Sequence, residues 1–173
     1  MENQKDKQIC VPVISAEAGR DLETQVVEAL KEYGFTVTTA ESCTGGLIAG
    51  RLVNVSGASE VFDRGFVTYS NEAKEEELGV KHTTLEQYTA VSEQTVVEMA
   101  IGAARRAKAD AAIAVTGLAG PGGGTQSQPV GLVYIGIYLK GIVYWQEYHF
   151  HGSRTEIREL TVVNSLQLLL NLL

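Results

Sequence analysis

Ser42 and Cys43 stand side by side in TTAESCTGG (38–46), followed at once by Thr44, Gly45 and Gly46. Either could attack an electrophilic carbon, but a serine hydroxyl is a weak nucleophile at neutral pH unless a base takes its proton. The histidines, His82, His149 and His151, are all remote in sequence from Ser42 and stand at no metal-ligand spacing. Lys74, in YSNEAKEEELG, is another candidate base, and Tyr69 could bring its hydroxyl to the same place. Free lysine titrates near ~10.4 and a working base needs ~7–8, so Lys74 qualifies only if burial or a neighbouring cation strips its proton. On a helix it shares a face with Asn71 and Leu78, while Glu75 and Glu76 point elsewhere. A solvated lysine paired with Glu75 or Glu77 fits the same residues. Ser42 or Thr44 fits equally as a helix cap, and Cys43 as a small buried apolar residue.

Two further segments could bind a ligand. TGLAGPGGG (116–124) follows an apolar run, which puts Thr116, Gly117, Ala119 and Gly120 at the carboxyl end of a strand, where open α/β sheets bind their ligands. It lacks the lysine of a phosphate-binding P-loop and leads into a strand, so it is neither that motif nor a dinucleotide fingerprint. HGSRTEIRE places Arg154 and Arg158 in the first turns of the last helix, where a guanidinium can take a phosphate or carboxylate or pair with Glu156 and Glu159.

These residues must be held by the elements around them. Helical spacing of Leu22, Val26, Leu30 and Tyr33 closes at Gly34, and FTVTTA (35–40) alternates as a strand. The opening motif then joins this strand to a short helix, GGLIAGRLVNV, with free amides at its start and glycines that allow close approach. RGFVTYS (64–70) reads as a second strand, NEAKEEELG as a short helix, and Ser92 as the N-cap of EQTVVEMAIGAARRAKA. DAAIAVT (110–116) is apolar enough to be buried on both faces. GLVYIGIYLK and IVYWQEYHFH pair as a hairpin through Lys140-Gly141, with aromatics that pack on the sheet, and Ser153 with Glu156 makes a capping box for the final helix. The order implies one three-layer α/β/α domain around a mixed β-sheet over residues 17–173, after a loosely ordered leader at 1–16.

Bulk properties narrow the class. The chain has 173 residues, 45% hydrophobic and 20% charged, enough for one ordinary core. A net charge of −7 argues against an extended nucleic-acid footprint. Cys10 and Cys43 cannot form a disulfide framework, and the apolar C-terminal TVVNSLQLLLNLL is too polar and short to span a membrane. A reduced, cytoplasmic protein with no membrane partner is expected.

TTAESCTGG, FDRGFVTYSNEAK, AVSEQTVVEMAIGA, TGLAGPGGG with PVG, and the GSR turn together resemble the CinA C-terminal domain family, and within it the stand-alone bacterial nicotinamide-mononucleotide amidases. The likeness runs from about residue 20 to the end. Residues 1–16 are too few to hold the larger N-terminal domain of CinA proteins. The resemblance implies hydrolysis of the carboxamide of nicotinamide mononucleotide to nicotinate mononucleotide and ammonia, with no metal or cofactor, by a cytoplasmic homodimer. It implies Ser42 as nucleophile, Lys74 as general base and Tyr69 as an active-site tyrosine. It places Thr44, Thr116, Gly117, Ala119, Gly120 and Arg154 around the mononucleotide, with Arg154 at the phosphate, and Gly45 and Gly46 add main chain that the substrate can approach closely. Two positions depart from the pattern: Gln128 stands where many relatives have lysine, and Ser153 where many have aspartate. A non-catalytic nucleotide-binding or partner module, and an amidase for another small amide, are the competing readings.

Overall fold

The computed structural model describes residues 5–19 and 21–173. Its six strands, β1 (Lys5–Gln8), β2 (Val37–Glu41), β3 (Phe62–Val67), β4 (Ala111–Gly117), β5 (Leu132–Leu139) and β6 (Ile142–His149), form one sheet in the order β1-β6-β5-β4-β2-β3. β2 is parallel to both β3 and β4, β5 is antiparallel to β4 and β6, and β1 is parallel to β6. Hence β5 alone runs against the others. The segments after β2, β3, β4 and β6 therefore all emerge at one edge of the sheet. Those are the segments that carry Ser42, Lys74, the glycine-rich loop and Arg154.

Helices cover both faces, as the alternation of the strands requires. Ala111, Ile113 and Val115 of β4 pack with α1 (Leu22–Tyr33), α2 (Leu47–Val53) and α6 (Arg154–Leu172). Ala112 and Ala114 point the other way, toward α5 (Glu93–Ala107) and α4 (His82–Tyr88). Small residues set the second layer's depth: a Cβ on Gly136 of β5 would stand 3.3 Å from a Val96 methyl of α5. The expected three-layer α/β/α domain is thus the observed one. Ser92 and Ser153 cap α5 and α6, the latter with the full Glu156 capping box.

Three elements differ from the sequence expectation. First, residues 5–14 are not a loose leader. β1 pairs with β6, the Gln146 amide exchanges hydrogen bonds with the Val11 backbone at 2.8 and 3.0 Å, and Asn164 does the same for Ile14 at 3.0 Å each way. Buried Gln146 and Asn164 need such donors and acceptors, and the chain supplies them as an extra strand would. Residues 1–4 lie outside the described residues. Second, α4 was not expected, since HTTLEQY offers only two turns of weak periodicity. Third, NEAKEEEL is a single α turn, α3 (Asn71–Ala73), running into a π-helical turn at Lys74–Leu78. Lys74 and Leu78 face inward, but Asn71 is exposed as the first residue of α3, beside its Ser70 cap.

Candidate active site

Lys74 is held at the centre of the converging segments. The π-helical turn presses against α5 at Gly102, where a Cβ would fall 2.0 Å from the Leu78 carbonyl oxygen. That close approach drives Lys74 into the protein until it is 1% exposed. Its Nζ lies 2.8 Å from the Thr68 carbonyl and 3.2 Å from Ser42 Oγ. Burial lowers the lysine from its ordinary 10.5 to about 8. Roughly one molecule in ten then carries the free amine at pH 7, against roughly one in three thousand for an unperturbed lysine. The free amine can donate to Thr68 and accept from the Ser42 hydroxyl. The acidic neighbours do not offset this, since Glu75 turns outward to His82 at 2.9 Å.

The same burial disfavours Cys43 as the nucleophile, pushing its thiol up to about 12. It is a free thiol, as is the exposed Cys10. Ser42 is the group the lysine addresses.

Ser42, Cys43, Lys74 and Tyr69 line a cleft of about 270 Å³ together with Thr116, Gly117, Ala119, Gly120 and Arg154. Its polar fittings are specific. The Thr116 hydroxyl donates to the Ala90 carbonyl at 2.6 Å, tying β4 to the segment that forms the opposite wall. Arg154 donates to the Gly120 carbonyl at 2.6 Å and to the Tyr69 hydroxyl at 3.1 Å, which fixes both at the solvent-facing rim. With two of five donors engaged, the guanidinium keeps others for an anion. Gln128 donates to the Thr89 hydroxyl and the Val91 carbonyl at 2.8 Å each, so it anchors the glycine-rich loop to the same wall. A larger cleft of about 650 Å³ lies between α2 and α6, away from the Ser42 hydroxyl, and carries no comparable chemistry.

Thr44, Gly45 and Gly46 do not line this cleft. Thr44 is fully buried with its hydroxyl on Glu41, the Gly45 amide donates to the Ser42 carbonyl, and the Gly46 amide donates to Glu41. The Ser42 amide is likewise used, by the Val115 carbonyl at 3.2 Å. Among the described residues, the amides of the turn that meet no oxygen acceptor are those of Cys43 and Thr44. The two glycines instead serve the backbone, with φ of 62° and 96° that other residues resist.

Glu41 is the residue that sequence reasoning passed over. It ends β2, is fully buried, and accepts from Thr44 Oγ1 at 2.7 Å and from the amides of Gly46, Ile48 and Ala49 at 3.0, 3.0 and 2.8 Å. A carboxylate closing a strand of otherwise uncharged residues, just ahead of a glycine-rich turn, was the available signal. No group of three or more His, Cys, Asp or Glu side chains among the described residues is arranged to hold a metal.

The CinA C-terminal domain model matches residues 19–173. The chain belongs to that family. A putative competence-damage inducible protein of Clostridium botulinum is 46% identical over 166 residues, covering 96% of this chain and 41% of its own length. A CinA-like protein of Kosmotoga olearia is 51% identical over 137 residues, covering 79% of this chain and 33% of its own length. The chain thus spans about two fifths or less of these relatives. Two solved structures are nearer in size. The competence/damage inducible protein CihA of Agrobacterium tumefaciens superposes with a TM-score of 0.87 at 45% identity, over 94% of this chain and 99% of that one. A CinA superfamily protein of Escherichia coli gives 0.89 at 38% identity, over 94% and 95%. The mixed sheet with helices on both faces is the fold of this family. Among the described residues, no helix is long and apolar enough to cross a membrane.

Proposed function

We propose that this CinA-family domain hydrolyses the carboxamide of nicotinamide mononucleotide, releasing ammonia and nicotinate mononucleotide. One observation carries the reading: a buried lysine amine stands 3.2 Å from a serine hydroxyl on the floor of a cleft whose rim holds an arginine. Lys74, as the free amine, takes the Ser42 proton while Oγ attacks the carboxamide carbon. The carbonyl oxygen gains the negative charge, and the amide of Cys43, a residue that lines the cleft and whose N–H meets no oxygen acceptor, is the donor that meets it. The Lys74 ammonium then protonates the departing nitrogen, which leaves as ammonia. Water, deprotonated by the regenerated amine, cleaves the ester on Ser42 and releases the acid. The positive pyridinium ring withdraws electrons from the carboxamide and favours the attack. Arg154, with Tyr69 beside it, receives the phosphate, so free nicotinamide is a much poorer substrate.

Ammonia release from nicotinamide mononucleotide by the wild type, Ser42→Ala, Lys74→Arg and Cys43→Ala tests this. The first and last are expected to be active and the middle two inactive. Full activity in Ser42→Ala overturns the mechanism. Tight mononucleotide binding by calorimetry with no ammonia released would mean a binding module instead, and turnover of simple amides at equal rates would remove the nucleotide from the reading.

A further inference from the structure

The Ser42 turn is gripped from two sides by charged groups that the reaction does not consume. From below, the Glu41 carboxylate draws in the turn's hydroxyl and amide donors, three on Oε2 and one on Oε1. From the α6 side, Arg158 donates through Nε to the Cys43 carbonyl at 3.0 Å and through Nη2 to the Thr44 carbonyl at 2.8 Å. The carboxylate takes donors and the guanidinium takes acceptors, so each satisfies what the other cannot. Simple helix capping does not need this. A cap satisfies one or two amides from the residue next to the helix. Here Glu41 reaches across the whole turn to Ala49, and Arg158 comes from an element remote in sequence. What the two groups leave for the chemistry is the pair that lines the cleft: the Ser42 hydroxyl and the amide of Cys43, which meets no oxygen acceptor.

We propose that Glu41 and Arg158 are a coupled pair of positioning residues that hold the nucleophile and its oxyanion donor in one arrangement. The inference rests on the role given to Ser42 above. Glu41→Gln keeps the size but sets an NH2 group against at least one amide donor. With the NH2 at the Oε1 position it opposes the Ala49 amide; at Oε2 it opposes three donors. The turn must then shift, and the oxyanion donor with it. Loss of one such donor typically lowers turnover by about 10²–10³-fold. Because both residues hold the same turn, their effects overlap rather than multiply.

The experiment measures kcat, KM and melting temperature on nicotinamide mononucleotide for the wild type, Glu41→Gln, Arg158→Lys and the double variant. The expected result is a kcat about 100-fold lower in Glu41→Gln with KM within threefold. Arg158→Lys should lose about tenfold, and the double variant no more than a fewfold beyond Glu41→Gln. A kcat within threefold of wild type, a loss carried by KM, or losses that multiply would each overturn the pairing. Should Glu41→Gln fail to fold, Arg158→Lys and Arg158→Met carry the same kcat-against-KM reading. If the wild type releases no ammonia, the function proposed above fails, and the rate at which a fluorophosphonate labels Ser42 decides this inference by itself. Labelling at least tenfold slower in the variants, with Ser42→Ala as the blank, supports it; equal rates, or no labelling of the wild type, sink it.

Discussion

Replacing Lys74 by methionine should abolish turnover and change stability in a way that depends on pH. Methionine fills a similar volume and carries no charge to desolvate. The gap between the ordinary lysine value of 10.5 and the buried value of about 8 corresponds to about 3 kcal/mol, at ~1.4 kcal/mol per pH unit. The sign follows from proton counts. Below pH 8 lysine is charged in both states, so the folded wild type bears the whole penalty. Between pH 8 and 10.5 the folded state is neutral while the unfolded chain still holds its proton, and the penalty fades. Wild-type stability therefore rises with pH in this window relative to the methionine variant. Losing the hydrogen bond to the buried Thr68 carbonyl offsets part of the variant's gain by about 1–3 kcal/mol, but that offset does not change with pH. Urea unfolding of both proteins at pH 7, 8, 9 and 10 measures the difference, which should shift by about 2 kcal/mol or more toward the wild type from pH 7 to pH 10. A difference constant within about 0.5 kcal/mol would mean that the amine titrates as if in water, and the base would be lost from the account.

Other perturbations test the surrounding geometry. Arg154→Ala should raise KM for the mononucleotide about tenfold or more while leaving hydrolysis of free nicotinamide nearly unchanged, as read by ammonia release. Gly102→Ala forces the Lys74 turn away from α5; it should destabilise the fold by about 1–3 kcal/mol in urea and lower kcat as well. Asn164→Ala removes the bonds that hold Ile14, should cost about 1–3 kcal/mol, and should make residues 9–18 cleavable by a protease that spares the wild type.

Much of the scaffold was legible because its signals are local. The apolar DAAIAVT strand, the Lys140-Gly141 hairpin, and the Ser92 and Ser153 caps depend on neighbouring residues and stand where the sequence puts them. The inward face of Lys74 was legible only in part. Helical spacing places it with Leu78, yet the close packing of its π-helical turn depends on Gly102, a residue of another helix. The N-terminal strand was missed because KDKQ has no apolar side to announce it; its partner strand β6, and the Gln146 and Asn164 side chains that hold Val11 and Ile14, lie far along the chain. A glycine pair after Ser42 reads as main chain open to a ligand. In the structure the Ser42 carbonyl and Glu41 hold the amides of Gly45 and Gly46, and Glu41 is invisible as a site residue until the turn folds around it. The Gln128 departure proves structural here, since glutamine latches the glycine-rich loop to Thr89 and Val91.

The central claim is that a deprotonated, buried amine drives the serine. The pH dependence of kcat/KM for nicotinamide mononucleotide tests it most directly. The account requires a tenfold rise per pH unit up to a bend near about pH 8, set by Lys74, and a plateau above it. A profile already flat from pH 6 upward, or one that bends where an exposed lysine titrates, would contradict it.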